Sequence, residues 1–276
     1  MKILIVGASG MLAKPVVKHF NENGFEVRLF SRSVDKSMYS KEYEIIQGDV
    51  FNASDLEKAI AGCDAIHITI GKTSESNAVK MILDVAKNKN IKLISYISGA
   101  TVSKENCWFP MINDKFNAEQ LIINSGIPYV IFRPTWFMES LPMMVRNGKA
   151  SIIGKQNNPY HWIAADDFTQ LLVNAYKISQ AHYNIFYIYG PEQYLLKEAL
   201  QKYCSVLHPD INKISNISTS LLKFIGIISG KKELKMVASL FAYFQKVPEI
   251  GNANKTNELL GSPKISLDKW IETLKN

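Results

Sequence analysis

The sequence predicts a doubly wound α/β domain, a parallel sheet with helices on both faces, followed by a smaller, mostly helical lobe. Up to about residue 133, short β-branched runs alternate with amphipathic stretches, and the runs are almost continuously apolar, as strands buried on both faces must be. After Pro134 the alternation gives way to a turn at Asn147 and Gly148 and to longer helix-like stretches. We therefore predict a core over residues 1–133 and a lobe over residues 134–276 that interleaves with the core and does not fold independently.

Six strands are predicted in the first part of the chain, with helical spacing between them. The strands are ILIV (3–6), EVRLF (26–30), YEIIQ (43–47), AIHITI (65–70), KLISYIS (92–98) and YVIFR (129–133). Helical spacing runs over residues 11–20, 56–60, 79–86 and 116–123. Further on, we expect a helix from Asp167 and a strand at NIFYIYG (184–190), which returns to the parallel sheet.

The composition argues against several classes of protein. The 276 residues, 47% of them hydrophobic, suffice for one sizeable core and a smaller lobe. Three widely spaced cysteines indicate reduced thiols and no metal site, and with no export signal they favour a cytoplasmic protein. The tract LLKFIGIISG (221–230) is too short to span a bilayer. The net charge of +7 is spread along the chain, so nucleic-acid binding is not favoured.

The stretch GASGMLA directly after the first strand is typical of a turn that binds a dinucleotide. Gly7 permits the tight turn, Gly10 lets the backbone approach a pyrophosphate, and Ala13 lets the helix pack close to the sheet. The N–H groups that open this helix, at Met11 and Leu12, then face the anion. The alternative is a purely structural turn.

The end of the second strand favours NADP(H) over NAD(H). NAD-selective proteins place a carboxylate there for the ribose 2′-hydroxyl, whereas this chain has Arg32, whose guanidinium suits a 2′-phosphate. Ser9, Ser31, Ser33 and Lys36 are additional donors. The alternative is an ordinary exposed arginine that follows a strand.

Two further strand ends fit the same cofactor site. Asp49 and Val50 follow the third strand, where Asp49 is placed to accept from the adenine amino group or to form a plain turn. Ile70 and Gly71 end the fourth strand, where the lack of a side chain lets the cofactor ribose pass close to the backbone.

These stretches, with DKFNAEQLIINSGIPYVIFRPTWFMES and IAADDFTQLL, resemble the atypical branch of the short-chain dehydrogenase/reductases, the NmrA-like and isoflavone-reductase-like NAD(P)-binding proteins. The resemblance covers roughly residues 1–200 and implies a Rossmann fold. Residues beyond about 200 match no block of this family.

The resemblance also implies a catalytic group, although the usual tyrosine is missing. Better-known members of the superfamily use a Tyr-xxx-Lys pair and an upstream hydroxyl; the lysine falls on Lys115, which puts Met111 at the tyrosine position. Ser98 or Gly99 occupies the position of the hydroxyl residue. In the better-known members such a lysine binds the nicotinamide ribose and lowers the pKa of the tyrosine, whereas in isoflavone-reductase-like members the resemblance implies that the lysine handles the proton itself. The alternative is a surface pair between Lys115 and Glu119.

The substrate side is expected after Pro134. Trp136, Phe137, Met138 and His161 combine apolar surface with a few polar groups, which suits a flat carbonyl compound such as a quinone or an enone. Core packing explains the same side chains equally well. Asp167 is expected to be a helix N-cap.

Two functions of different classes remain. The first is an NADPH-dependent reductase of a small apolar carbonyl or quinone; the second is a non-catalytic NADP(H)-sensing regulator that acts through a protein partner. The regulator is suggested by the missing tyrosine and by the apolar, lysine-bearing tract over residues 218–247, although a lid or packing helix is the simpler interpretation of that tract. A sugar-nucleotide epimerase is a weaker third interpretation, because those enzymes generally keep the tyrosine.

Overall fold

The computed structural model describes residues 1–39, 43–71 and 74–275, which fall into two units. The first unit comprises Met1–Pro134, Ala165–Ile188 and Asn252–Ser262. The second comprises Thr135–Ala164, Tyr189–Gly251 and Pro263–Asn276. Two segments from the later half of the chain therefore belong to the first unit.

The first unit is built on a parallel sheet of seven strands. In chain order they are β1 (Lys2–Val6), β2 (Glu26–Ser31), β3 (Glu44–Gln47), β4 (Ala65–Ile68), β5 (Leu93–Ile97), β6 (Tyr129–Pro134) and β10 (Asn184–Ile188). Their order across the sheet is β10-β6-β5-β4-β1-β2-β3, and every neighbouring pair is parallel. The predicted doubly wound fold is confirmed, and the strand predicted near residue 184 returns to the sheet beside β6.

Helices cover both faces of this sheet. They are α1 (Ala13–Glu22), α2 (Ala53–Ile60), α3 (Glu75–Ala86), α4 (Pro110–Ile123), α5 (Ala165–Lys177) and the short α9 (Asn254–Leu259), with 3-10 turns at Lys36–Met38, Lys104–Asn106 and Ser179–Ala181. Helix α1 packs against α5, while α2 packs against α3 and α3 against α4. Because side chains alternate along a strand, Leu4 and Val6 enter the core beneath α2, α3 and α4, and Ile3 and Ile5 are buried on the other face.

The helix starts differ from the sequence-based expectation by a few residues, and that of α4 differs the most. Helix α4 begins at Pro110, six residues before the predicted start, because proline is favoured in the first turn, where its missing N–H costs nothing. Helix α5 begins at Ala165, so Asp167 lies inside its first turn; the expectation that Asp167 is the N-cap is wrong. The carboxylate there still faces the positive end of the helix dipole.

The second unit contains four α-helices and five short strands. The helices are α6 (Leu196–Leu207), α7 (Thr219–Ile228), α8 (Lys232–Phe244) and α10 (Leu267–Thr273), preceded by a 3-10 helix at Met138–Met144. The strands form a three-stranded sheet, β12-β8-β7, and a two-stranded sheet, β11-β9. They span Val145–Arg146 (β7), Lys149–Ile153 (β8), Tyr160–Trp162 (β9), Glu192–Tyr194 (β11) and Ile214–Ile217 (β12). The core of this unit gathers Leu141, Trp162, Leu200 and Trp270.

Across residues 1–39, 43–71 and 74–275, no helix combines the length and the apolar character needed to cross a bilayer.

One buried histidine of the first unit makes the stability of the folded protein depend on pH. His67 of β4 is fully buried, with Nδ1 2.7 Å from the Ser95 hydroxyl, which in turn lies 2.6 Å from the Tyr176 hydroxyl. Its Nε2 atom has no hydrogen-bond partner among the described residues. Burial lowers the pKa of His67 from 6.5 to about 3, because the charged ring would lose its hydration. The folded protein therefore keeps this ring neutral.

We expect this histidine to make the protein less stable as the pH falls below 6.5. The unfolded chain binds a proton there that the folded chain cannot bind, so the free energy of unfolding falls by up to about 1.4 kcal/mol per pH unit, until about pH 3. Denaturant titrations at several pH values should show a shallower fall for His67→Gln, which keeps a polar group beside Ser95 and cannot titrate. Parallel curves for the two proteins would contradict the prediction.

Candidate functional site

The turn after β1 is fixed by close contact with the end of β4. Gly7 has φ +97°, and a Cβ atom there would lie 2.3 Å from the carbonyl oxygen of Thr69. The Gly7 N–H donates to the Phe30 carbonyl at the end of β2, at 2.9 Å. Only glycine tolerates both this φ value and this close approach of the Thr69 backbone. The turn thereby connects the carboxyl ends of β4, β1 and β2, which are neighbours in the sheet.

The start of α1 presents free backbone donors. The N–H of Gly10 donates to the Gly7 carbonyl at 3.0 Å, which closes the turn, whereas the N–H groups of Met11 and Leu12 have no acceptor within the described chain. Leu12 caps the helix without a side-chain hydrogen bond, and the first turn carries no acidic residue. Free N–H groups and an uncompensated helix dipole together suit a phosphate group.

Three hydroxyl groups gather beside this turn. Ser31 and Ser33, at the end of β2, both donate to the Ser9 hydroxyl oxygen, at 3.1 and 3.0 Å. Arg32 stands exposed between them, and no described residue forms an ion pair with it. Three of the donors expected from the sequence, Ser9, Ser31 and Ser33, are thus brought together beside an exposed guanidinium.

A tyrosine that the sequence did not single out also reaches this region. Tyr39 follows the 3-10 turn after β2 and donates from its hydroxyl to the Ala8 carbonyl at 2.5 Å. Burial first, and then the neighbouring Tyr43, raise the pKa of Tyr39 to about 12, so the group remains a donor at neutral pH. The hydrogen bond joins residues 31 positions apart, so no local sequence pattern indicated it.

The residues that follow β3 and β4 differ in the contacts that they make with the rest of the first unit. The Asp49 carboxylate accepts from the Phe51 N–H at 3.0 Å, which is the plain turn interaction weighed from the sequence. Val50 and Ile70 are partly buried against the core of the first unit. At Gly71, no described atom lies within 4 Å of where a Cβ would stand.

Lys115 is held by a buried carboxylate. Its Nζ lies 2.9 Å from Oε2 of Glu75, in the first turn of α3, and the two side chains are 16% and 7% exposed. The Tyr96 hydroxyl of β5 donates to the same oxygen at 2.5 Å. Burial first, and then the charge of Glu75, raise the pKa of Tyr96 well above its usual value of 10. Tyr96 therefore stays protonated at neutral pH and serves here as a hydrogen-bond donor to Glu75.

The residue before Lys115 fixes the same helix start. The Asp114 carboxylate accepts from the backbone N–H groups of Glu75 and Ser76, at 2.6 and 3.2 Å, and from both serine hydroxyls at the start of α3. It supplies the cap that Ser74, at the N-cap position, does not make with its own side chain. Neighbouring residues of α4 thus bind the first turn of α3 and position the Lys115 ammonium group.

The pair between Lys115 and Glu119 that the sequence allowed does not form. Glu119 is fully buried and takes two hydrogen bonds from Arg133, at 2.9 Å and 2.5 Å. It also accepts from the Ser98 hydroxyl at 2.5 Å. Ser98 is therefore bound within the fold, and Met111, one helical turn before Lys115, has no proton to transfer.

The candidate substrate residues lie in the second unit, where packing accounts for most of them. Met138 and Phe137 are buried, and Met138 belongs to the core of this unit. Trp136 lies among four aromatic rings, at centroid distances of 5.1 to 5.8 Å. Its indole N–H has no partner among the described residues.

His161 forms a hydrogen-bonded pair with a residue that the sequence did not indicate. Its Nδ1 lies 2.8 Å from Oε2 of Glu249, and its ring stacks on Tyr189 with a centroid distance of 4.9 Å. Glu249 also accepts from the His161 backbone N–H and from the Thr135 hydroxyl. The imidazole is thus held in one orientation. No group of three or more His, Cys, Asp or Glu side chains in the described ranges is arranged to hold a metal ion.

Comparison with known proteins gives one family. The family model described as NAD(P)H-binding matches residues 7–176. Photosystem II assembly factor Ycf39 of Trieres chinensis is 23% identical over 253 residues, covering 83% of this chain and 76% of that protein. An isoflavone reductase homolog of Solanum tuberosum is 24% identical over 212 residues, 69% of each chain.

A solved structure shows the same fold along the whole chain. The NADPH-dependent quinone oxidoreductase of Escherichia coli, in complex with NADPH, aligns with a TM-score of 0.79 at 17% identity, covering 99% of this chain and 100% of that one. The glycine turn, the parallel sheet and the matched family model all indicate an NAD(P)H-binding protein. The chain belongs to the NAD(P)H-binding family, and its similarity to an isoflavone reductase homolog agrees with the resemblance to atypical short-chain dehydrogenase/reductases.

Proposed function

We propose that this protein is an NADPH-dependent reductase of a small apolar carbonyl compound or quinone. The observation that carries the proposal is the Lys115 ammonium group, held by the buried Glu75 carboxylate in the first turn of α3. The quinone oxidoreductase and the isoflavone reductase homolog among its relatives support this class of reaction.

The residues of the first unit fit the cofactor. The amides of Met11 and Leu12 suit its pyrophosphate, while Arg32 and the hydroxyls of Ser9 and Ser31 suit the 2′-phosphate. When bound, NADPH supplies a hydride from C4 of the nicotinamide. The chain has to supply binding, orientation and a proton.

Lys115 is the proton donor in this proposal. Glu75 Oε2 accepts one of the three ammonium protons, which leaves others for the nicotinamide ribose and for the substrate oxygen. Asp114 holds the start of α3, and Glu75 binds the ammonium group directly. The ammonium group is therefore oriented before substrate arrives. Reduction of a carbonyl then needs one proton from Lys115, which water restores.

A second candidate is an NADP(H)-sensing regulator without catalysis. Two observations favour it: the tyrosine position holds Met111, and the Ser98 hydroxyl is bound to Glu119. The similarity to an assembly factor points the same way. Purified protein that binds NADPH but reduces no member of a quinone and enone panel would favour this candidate over the reductase.

We expect NADPH to bind more tightly than NADH, because the exposed Arg32 meets the 2′-phosphate. Arg32→Ala should weaken NADPH binding about tenfold and leave NADH binding nearly unchanged, since an exposed charge-assisted contact is partly screened by solvent. Calorimetric titration measures both affinities. Arg146→Ala, which removes another exposed arginine, is the matched control. Equal affinity of the unaltered protein for the two cofactors would reject the preference.

We expect Gly10→Val to abolish cofactor binding while the protein still folds. A Cβ at residue 10 would lie 3.3 Å from the Gly7 carbonyl oxygen, a contact that small shifts relieve, but the side chain would fill the approach of the pyrophosphate. Gly7→Ala is the contrast, because its Cβ would lie 2.3 Å from the Thr69 carbonyl oxygen and should lower the melting temperature without any ligand. A Gly10→Val protein with normal melting and normal NADPH binding would show that the site lies elsewhere.

We expect Lys115→Met to lower turnover by roughly 10²- to 10⁴-fold at saturating NADPH, the usual effect of losing a positioned acid. The single change leaves the Glu75 carboxylate buried without its cation, which costs stability. The double variant Lys115→Met/Glu75→Gln removes that penalty, because a glutamine oxygen still accepts from Tyr96.

Turnover and NADPH affinity should be measured on both proteins. Low turnover in the stable double variant supports proton donation, whereas reduced affinity with normal turnover limits Lys115 to the ribose. Unchanged affinity and unchanged turnover would remove Lys115 from the site.

A further inference from the structure

The first helix of the α7–α8 hairpin exposes an apolar face. Leu221, Phe224, Ile225 and Ile228 recur at i, i+3, i+4 and i+7, so they form one stripe along α7, and all four are exposed, Ile228 to 71%. The opposite side of α7 packs on α8: a Cβ at Gly226 would lie 2.8 Å from the Lys235 backbone nitrogen. The expectation of a packing helix therefore fails for the outer face of α7.

The hairpin is firmly attached at its base. The carbonyl of Phe244, at the end of α8, accepts from the side chains of Asn158 and Tyr160, at 2.9 and 3.0 Å, and the Phe241 carbonyl accepts from Gln156 at 2.9 Å. On the other side, β12 leads into α7 and pairs with β8. The exposed stripe is thus presented by an anchored element.

The hairpin that presents the stripe also carries exposed lysines. Residues 219–236 contain Lys223, Lys231, Lys232 and Lys235 and a single acidic residue, Glu233. All four lysines are exposed. An apolar stripe about 11 Å long, from Leu221 to Ile228 at 1.5 Å per residue, therefore belongs to a segment with a net charge of +3.

We propose that the α7–α8 hairpin docks on an anionic lipid surface, with the stripe inserted among the acyl chains and the net positive charge of the hairpin attracted to the headgroups. Interfacial helices combine an apolar face with a lysine-rich polar face in this way. A protein partner fits less well, because lysine is depleted and aromatic residues and arginine are enriched at protein interfaces, whereas this face offers aliphatic side chains, one phenylalanine and lysines.

The test is flotation of the full-length protein with lipid vesicles. We expect binding to vesicles of mixed phosphatidylcholine and phosphatidylglycerol, weakening with added salt, and no binding to phosphatidylcholine alone. Phe224→Ser/Ile228→Ser should abolish binding although the charge is unchanged. Met143→Ser is the matched control, because Met143 and Phe224 are both 59% exposed.

A second pair of variants tests the charges. Lys231→Gln/Lys232→Gln should weaken vesicle binding roughly 30-fold, about fivefold per lysine, whereas Lys87→Gln/Lys89→Gln, an exposed pair outside the hairpin, should have little effect. Unchanged NADPH affinity and melting temperature show that each variant is folded.

Three results would overturn the proposal. They are absence of binding to anionic vesicles, equal binding by Phe224→Ser/Ile228→Ser, and a dimer in vesicle-free buffer that this double change converts to a monomer. The last result would assign the stripe to a second copy of the chain. None of them bears on the reductase proposal, which is tested by turnover.

Discussion

The candidate site depends on the close approach of β1 and β4 at Gly7. With all seven strands parallel, their carboxyl ends share one edge, and the turn after each strand opens there. A side chain at residue 7 would meet the Thr69 backbone, so the turn would be pushed away from the end of β4. Because the Gly7 N–H also bonds to the end of β2, this one residue aligns the phosphate turn with Ser31 and Arg32.

The start of α3 shows how the fold prepares a charged group. Burying the Glu75 carboxylate is costly unless it is paired and hydrogen-bonded, and here it has both Lys115 and Tyr96 as partners. The Asp114 carboxylate meets the positive end of the same helix. The Lys115–Glu75 ion pair and the Asp114 cap therefore fix the contact between α3 and α4, and the ammonium group is the less buried member of the ion pair.

Features that depend on local sequence pattern were predicted, whereas contacts between residues far apart in the chain were missed. The strands, the glycine turn and the gathering of donors around Arg32 follow from apolar runs and from the rule that ligands lie beyond the carboxyl ends of parallel strands. The partner of Lys115 did not follow. Spacing along the helix suggested Glu119, but Glu119 is taken by Arg133, and the actual partner lies 40 residues away on another helix. Glu249, 88 residues from His161, was missed for the same reason.

The outer face of α7 is apolar but exposed, unlike the apolar face of α1. Helix α1 uses the same i, i+3, i+4, i+7 spacing, through Ala13, Val16, Val17 and Phe20, and buries all four against the sheet. The pattern alone therefore states that a face is apolar, but not what covers it. In α1 the covering surface is supplied by the chain itself. In α7 the described chain supplies α8 on one side only, and the exposed lysines of the hairpin favour, in our proposal, an anionic lipid surface as the cover of the other side.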